Sequence, residues 1–157
     1  MSNRKTRVLI LTIAISLATA VVCKASRRTA VRDRDQTETL SKPSLNNLGQ
    51  LVNALKRRGE KIVRKGKVEQ PFFSVQGRII TVGDQDVQVF EYRTVSAAAR
   101  DAGKLSPKGS SVGISVPRWI APPHFFKSGR LIVLYVGDNA HVVEALTDVL
   151  GPQFAGK

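Results

Sequence analysis

Leu131-Ile-Val-Leu-Tyr-Val136 is an unbroken run of six apolar residues between Gly129-Arg130 and Gly137. A run this short with no polar face predicts a central strand covered on both sides. Any fold for this chain has to supply those two covers.

The flanking sequence supplies candidates. Leu45, Leu48, Leu51, Val52 and Leu55 recur at helical spacing, with Ser44 placed as N-cap and Gly59 as terminator. Lys61 to Gln70 reads as a strand ending at Pro71, and residues 78–82 and 86–92 as a hairpin around Gly83-Asp84-Gln85. Alanine-rich Thr94 to Lys104 reads as a short helix with a threonine cap. Val116 to Ala121 reads as a strand leading through Pro122-Pro123 and the Lys127-Ser-Gly-Arg130 turn into the 131–136 run. A last helix carries Val142, Val143, Leu146, Val149 and Leu150, capped by Asp138 or Asn139 and stopped by Gly151-Pro152. The predicted order is α-β-β-β-α-β-β-α. It implies one α+β domain over residues 44–157, with a mainly antiparallel sheet of about five strands and helices packed on one face.

The N-terminus has a different character. Asn3-Arg-Lys-Thr-Arg7 is a basic segment, and Val8 to Val22 follows without a charge. Fifteen uncharged residues, twelve of them apolar, suit a signal-peptide core and fall short of the roughly 20 that a membrane-spanning helix needs. Residues 1–25 therefore read as an export signal, cleaved or retained as an anchor. Either way, the cations stay inside and the domain lies on the extracytoplasmic side. Cys23, the only cysteine, stands where lipoprotein processing would attach lipid, although Val22 replaces the small residue usual before it. Cleavage after Ala25 or Ala20 is the alternative. Residues 26–43 hold four arginines among polar residues and read as a basic tether.

Net charge is +13, of which residues 26–157 carry +9. A surplus of that size favours polyanionic contacts such as phospholipid headgroups, acidic glycans or nucleic acid. It concentrates in Lys56, Arg57, Arg58, Lys61, Arg64, Lys65 and Lys67, which face a single acid, Glu60. Anionic lipid is the natural partner for a membrane-proximal domain. Nucleic acid fits less well, because no aromatic residues are interleaved with this run.

Trp119-Ile-Ala-Pro-Pro-His-Phe-Phe126 is the most unusual segment. Its two prolines stiffen the backbone, and Trp119, His124, Phe125 and Phe126 cluster within eight residues. Trp119, Pro122, Pro123, His124, Phe125 and Phe126 are accordingly candidates for a protein or glycan contact surface. The alternative reading makes the rings core and the prolines edge protection. Pro71-Phe72-Phe73 is expected to meet this segment in space.

Catalytic apparatus is sparse. Two histidines, His124 and His141, and one cysteine do not make a zinc ligand set at recognised spacing, and no nucleophile elbow is present. No cofactor or metal is expected. The remaining enzymatic reading is a small hydrolase or transferase acting on an envelope polymer, with His124 as general base.

Several segments together resemble a family of short bacterial exported proteins, many with lipoprotein-type signals, for which no activity is established. They are Val68-Glu-Gln-Pro-Phe-Phe73, Asp86-Val-Gln-Val-Phe-Glu-Tyr92, Ser106-Pro-Lys-Gly-Ser-Ser111, the Trp119 to Phe126 stretch, Gly129 to Gly137, and Leu150-Gly-Pro-Gln-Phe-Ala-Gly156. The resemblance spans about 90 residues and implies the fold and an envelope location. The leading expectation is a non-enzymatic, membrane-associated binding or structural module of the bacterial envelope.

Overall fold

A computed structural model describes residues 44–156. The expected export signal, Cys23 and the basic tether lie outside the described residues. The apolar run at 131–136 takes the position its composition requires. It forms strand β5 (Leu131–Val136), paired antiparallel on one side with β3 (Gln85–Glu91) and on the other with β4 (Pro123–Ser128). With β1 (Ile62–Val68), β2 (Gly77–Val82) and β6 (Ala155–Gly156), the sheet has six strands in the order β1-β2-β3-β5-β4-β6. Every adjacent pair is antiparallel. The domain is α+β, as the element pattern implies, with three helices: α1 (Leu48–Arg57), α2 (Val95–Ala102) and α3 (Ala140–Leu150).

Alternation along β5 divides the core in two. Leu131, Val133 and Tyr135 join Leu51, Val52 and Leu55 of α1 and Val142, Ala145 and Leu146 of α3. Ile132 and Leu134 point the other way, into a cluster with Phe73, Phe90, Tyr92, Phe125 and the α2 alanines Ala98 and Ala102. Two helices thus share one face as expected, while α2 covers the other. Its small alanine face lets it lie close against β5, which needed a cover there.

Local details depart from the pattern in instructive ways. The first helix is capped by Asn47, whose Oδ1 accepts from Gln50 N at 2.8 Å, and not by Ser44. Residues before it are held elsewhere: Leu45 N donates to Ser128 Oγ at 2.9 Å, at the last residue of β4. At α3 the cap is Asn139, whose Oδ1 accepts from His141 N and Val142 N, leaving Asp138 without that role. The β2–β3 connection is tighter than expected. Val82 pairs with Gln85, and Gly83 takes φ of 63°, which suits a residue without Cβ.

The strand expected at Val116 to Ala121 does not form; the ladder begins at Pro123. Pro117 and Pro122 lack the N–H a ladder needs and restrict the residues before them. Pro123 can open a strand because the first position tolerates a missing donor. Among the described residues, no helix is long and apolar enough to cross a membrane.

Candidate functional site

The 119–126 segment is built inward. Phe125 and Phe126 have 0% exposure and point to opposite faces of the sheet, each into a core. Pro123 and His124 are also buried. Trp119 is half-buried, donates from Nε1 to Gly109 O at 2.8 Å, and packs edge-on against Phe72 and Phe125. Phe73 meets Phe125 with ring centroids 6.5 Å apart, so Pro71-Phe72-Phe73 joins this segment as expected. What closes there is core. Phe125 and Phe126 are therefore corrected from contact residues to structural ones. The physical reason is that both faces of the sheet are covered at β4, by the α1–α3 cluster over Phe126 and by the Phe73–α2 cluster over Phe125.

His124 is held at both ring nitrogens. Nδ1 lies 2.7 Å from Gln153 Oε1 and Nε2 lies 3.1 Å from Gly137 O, and the ring stacks on Tyr135. Neither nitrogen is left over to take a proton from a substrate. His141, at the start of α3, reaches Glu60, which also receives Arg58. Among the described residues, no three histidine, cysteine or carboxylate side chains gather as a metal site.

Another cluster, between Ser74, Tyr92, Asp101 and Lys104, is saturated. Asp101 is 3% exposed; its Oδ2 accepts from Ser74 N, Ser74 Oγ and Tyr92 Oη, and its Oδ1 accepts from Lys104 Nζ. Burial, and after it the bond to Asp101, pushes the Tyr92 phenol far above its ordinary range. These contacts join the loop after β1 to α2, and all four bonds to Asp101 come from the protein's own donors.

The seven-cation run at 56–67 is divided by the fold. Lys56 and Arg57 on α1, Lys61 just before the edge strand β1, and Lys67 on it are exposed. Arg58 is structural: it pairs with Asp148, with Glu144 at 3.6 Å and with Glu60 at 3.8 Å, fastening the end of α1 to α3. Only Arg64 and Lys65 go on to line a concavity.

That concavity is a groove of about 530 Å³ beside the first residue of α1, and it is the strongest candidate site. Arg64, Lys65, Arg78, Arg93 and Arg130 line it, with Glu91 as its single carboxylate. Its construction follows from strand alternation. Arg78 shares a face with Ile80 and Val82, but α1 and α3 cover only the Ile80–Val82 end of β2, so Arg78 stands uncovered. Arg64 lies opposite Ile80 on β1, and the register slips before Lys67 meets Arg78. From the other side, the β3–β5 pairing brings Arg93 and Arg130 together: Tyr92 N donates to Arg130 O, and Arg130 Nη1 to Arg93 O at 3.2 Å.

Electrostatic balance in the groove is lopsided. Glu91 is already engaged, accepting from Leu48 N at 3.0 Å and standing 3.9 Å from Arg130 Nη2. Lys65 pairs with Asp86 at 2.6 Å. Among the described residues, Arg64, Arg78 and Arg93 have no carboxylate partner within ion-pair distance. Guanidinium groups gathered on one concave wall repel one another unless an anion lies between them, and their planar donor forks match phosphate or carboxylate.

Arg78, Arg93 and Arg130 were not singled out from the sequence, where each is an isolated cation. The one local signal was Arg78, which alternates with Ile80 and Val82 and so shares their face.

Comparison with known family models, curated proteins and solved structures returns no significant match.

Proposed function

We propose that this chain is a binding module of the bacterial envelope, membrane-associated on the extracytoplasmic side, which holds an anionic ligand in the Arg64–Arg78–Arg93–Arg130 groove. The carrying observation is the groove itself, where three guanidinium groups lack a carboxylate partner among the described residues. The basic-then-apolar N-terminus and the resemblance to exported bacterial proteins support the location. Binding is favoured over catalysis because His124 is held at both nitrogens and no histidine or cysteine lines the groove. The volume lies within the range of small-molecule sites, so a phosphorylated or carboxylated headgroup or sugar unit fits.

The test is a calorimetric titration of the full chain, in nonionic detergent at low salt, with pyrophosphate as the probe anion. Saturable binding by the wild type, reduced about tenfold or more in Arg78→Gln/Arg93→Gln, is the expected result. Equal binding by that variant, or none by the wild type, overturns the reading.

A further inference from the structure

Three aliphatic side chains stand in water on the loop between α2 and β4. Ile114 and Ile120 are fully exposed, at 104% and 97%, and Val116 is 78% exposed. Single exposed aliphatics are ordinary on a protein surface. Three of them within seven consecutive residues, when the other exposed large apolar residues among the described ones, Val63 and Val95, are only about half exposed, form a feature of their own.

The backbone beneath them is tied down. Val112 and Ser115 exchange hydrogen bonds in both directions across the Gly113-Ile114 tip, and Gly113 N donates to Lys104 O at 2.7 Å. Gly113 has φ of 59°, which lets the tip reverse sharply. On the far side of the loop, Trp119 is pinned by Gly109 O and by the Phe72 and Phe125 rings. Ile114 and Ile120 therefore project from a supported base and have no route back to the core.

Charge around the tip has one sign. From residue 102 to residue 137 there is no aspartate or glutamate, while Lys104, Lys108, Arg118, Lys127 and Arg130 all fall in that stretch. Lys104 is committed to Asp101. Lys108 and Arg118 are exposed and have no carboxylate partner among the described residues. An aliphatic tip flanked by exposed cations, with an indole at its base, is matched layer for layer by a bilayer: hydrocarbon for the tip, anionic headgroups for the flanks, and the interface for the indole.

We infer that the 113–120 loop docks on an anionic phospholipid bilayer, inserting Ile114, Val116 and Ile120 at the headgroup–acyl boundary. The geometry is compatible with the groove remaining open. β4 starts where this loop ends and finishes in the β4–β5 connection that carries Arg130, so loop and groove lie at opposite ends of the strands. Six strand residues separate them by roughly 20 Å. The described chain begins near the groove end, where Leu45 bonds Ser128. This docking is independent of whether the groove binds an anion.

Trp119, the only tryptophan, is the reporter. The full chain is mixed with vesicles of phosphatidylcholine containing about one-third phosphatidylglycerol, with and without brominated acyl chains. Quenching is read per cosedimented chain, so attachment through residues 8–22 does not confound it. Trp119 emission should fall by about twofold in wild type and in Ile114→Leu/Ile120→Leu, and hardly at all in Ile114→Ser/Ile120→Ser. Both positions are in solvent, so neither pair of substitutions disturbs the core. Undiminished quenching in the serine variant, or none in wild type, overturns the inference. Equal quenching in vesicles of phosphatidylcholine alone overturns its anionic part. Arg78→Gln/Arg93→Gln should quench as wild type does, which separates this outcome from that of the groove.

Discussion

Phe125 and Phe126 are adjacent in sequence, both wholly buried, and lie in different cores on opposite faces of one sheet. Phe126 packs in the cluster that α1 and α3 cover, whereas Phe125 lies among Phe73, Trp119 and Phe154. Each alanine replacement should cost about 3–5 kcal/mol in urea denaturation, the usual range for an emptied aromatic site. Trp119 fluorescence of the native state should change in Phe125→Ala, which loses a ring 5.8 Å away, and not in Phe126→Ala. A cost under about 1 kcal/mol for either would mean that the ring is not packed as described.

Asp101 makes stability sensitive to acid. Burial is the largest single influence and would raise its pKa, but the donors on Lys104, Ser74 and Tyr92 together overcome it and lower the value from 3.8 to about 2. A carboxylate with a depressed folded pKa contributes stability that is present above the unfolded value and lost as pH falls through the folded one. The contribution should therefore be complete above about pH 5 and fade toward pH 2. Asp101→Asn lacks the titrating charge. Its stability deficit relative to wild type should shrink by about 2 kcal/mol between those limits, measured by denaturant unfolding at each pH. A deficit that stays constant with pH would show that the four donors do not favour the charged form.

Much of the framework was legible because it rests on local patterns. The six apolar residues at 131–136 had to be covered twice, and they are, with partners on both edges and helices on both faces. The α1 and α3 stripes were equally plain. Facing was not: Ala98 and Ala102 make a face too weak to say which side of the sheet α2 takes. The strand expected at 116–121 does not form because Pro117 and Pro122 lack the N–H groups a ladder needs and restrict the residues before them, and that decides the matter in the fold. Of the groove, Arg64 and Lys65 stood out in the basic run, and Arg78 carried a signal only through its alternation with Ile80 and Val82. Arg93 and Arg130 meet because β3 pairs with β5, and nothing local dictates which strands of two hairpins become neighbours.

Gly77 is a close approach that tolerates no side chain. It pairs with Phe90 across β2 and β3, and a Cβ there would stand 2.6 Å from the Phe90 ring. Phe90 is fully buried, with its ring centroid 4.6 Å from that of Phe73. Gly77→Ala should destabilise by about 1–3 kcal/mol, the range for overpacking, by thermal or urea unfolding. An unchanged midpoint would mean that the ring can swing aside, and that the second core is looser than its contacts suggest.

The basic run should separate by function when its members are changed one at a time. Arg58 serves the fold, through Asp148, Glu144 and Glu60, at about one-quarter side-chain exposure. Arg58→Gln should lower stability by up to about 1 kcal/mol, since partly exposed pairs are weak, and leave pyrophosphate binding unchanged. Arg64 is exposed and lines the groove with no carboxylate partner among the described residues. Arg64→Gln should therefore leave the unfolding midpoint alone, weaken binding, and flatten its dependence on salt, because one fewer cation is then screened. Calorimetry at two salt concentrations beside urea unfolding reads both effects. If the two variants behave alike, the division of the run into a fastening arginine and a groove arginine is wrong, and the charge acts as one diffuse surface.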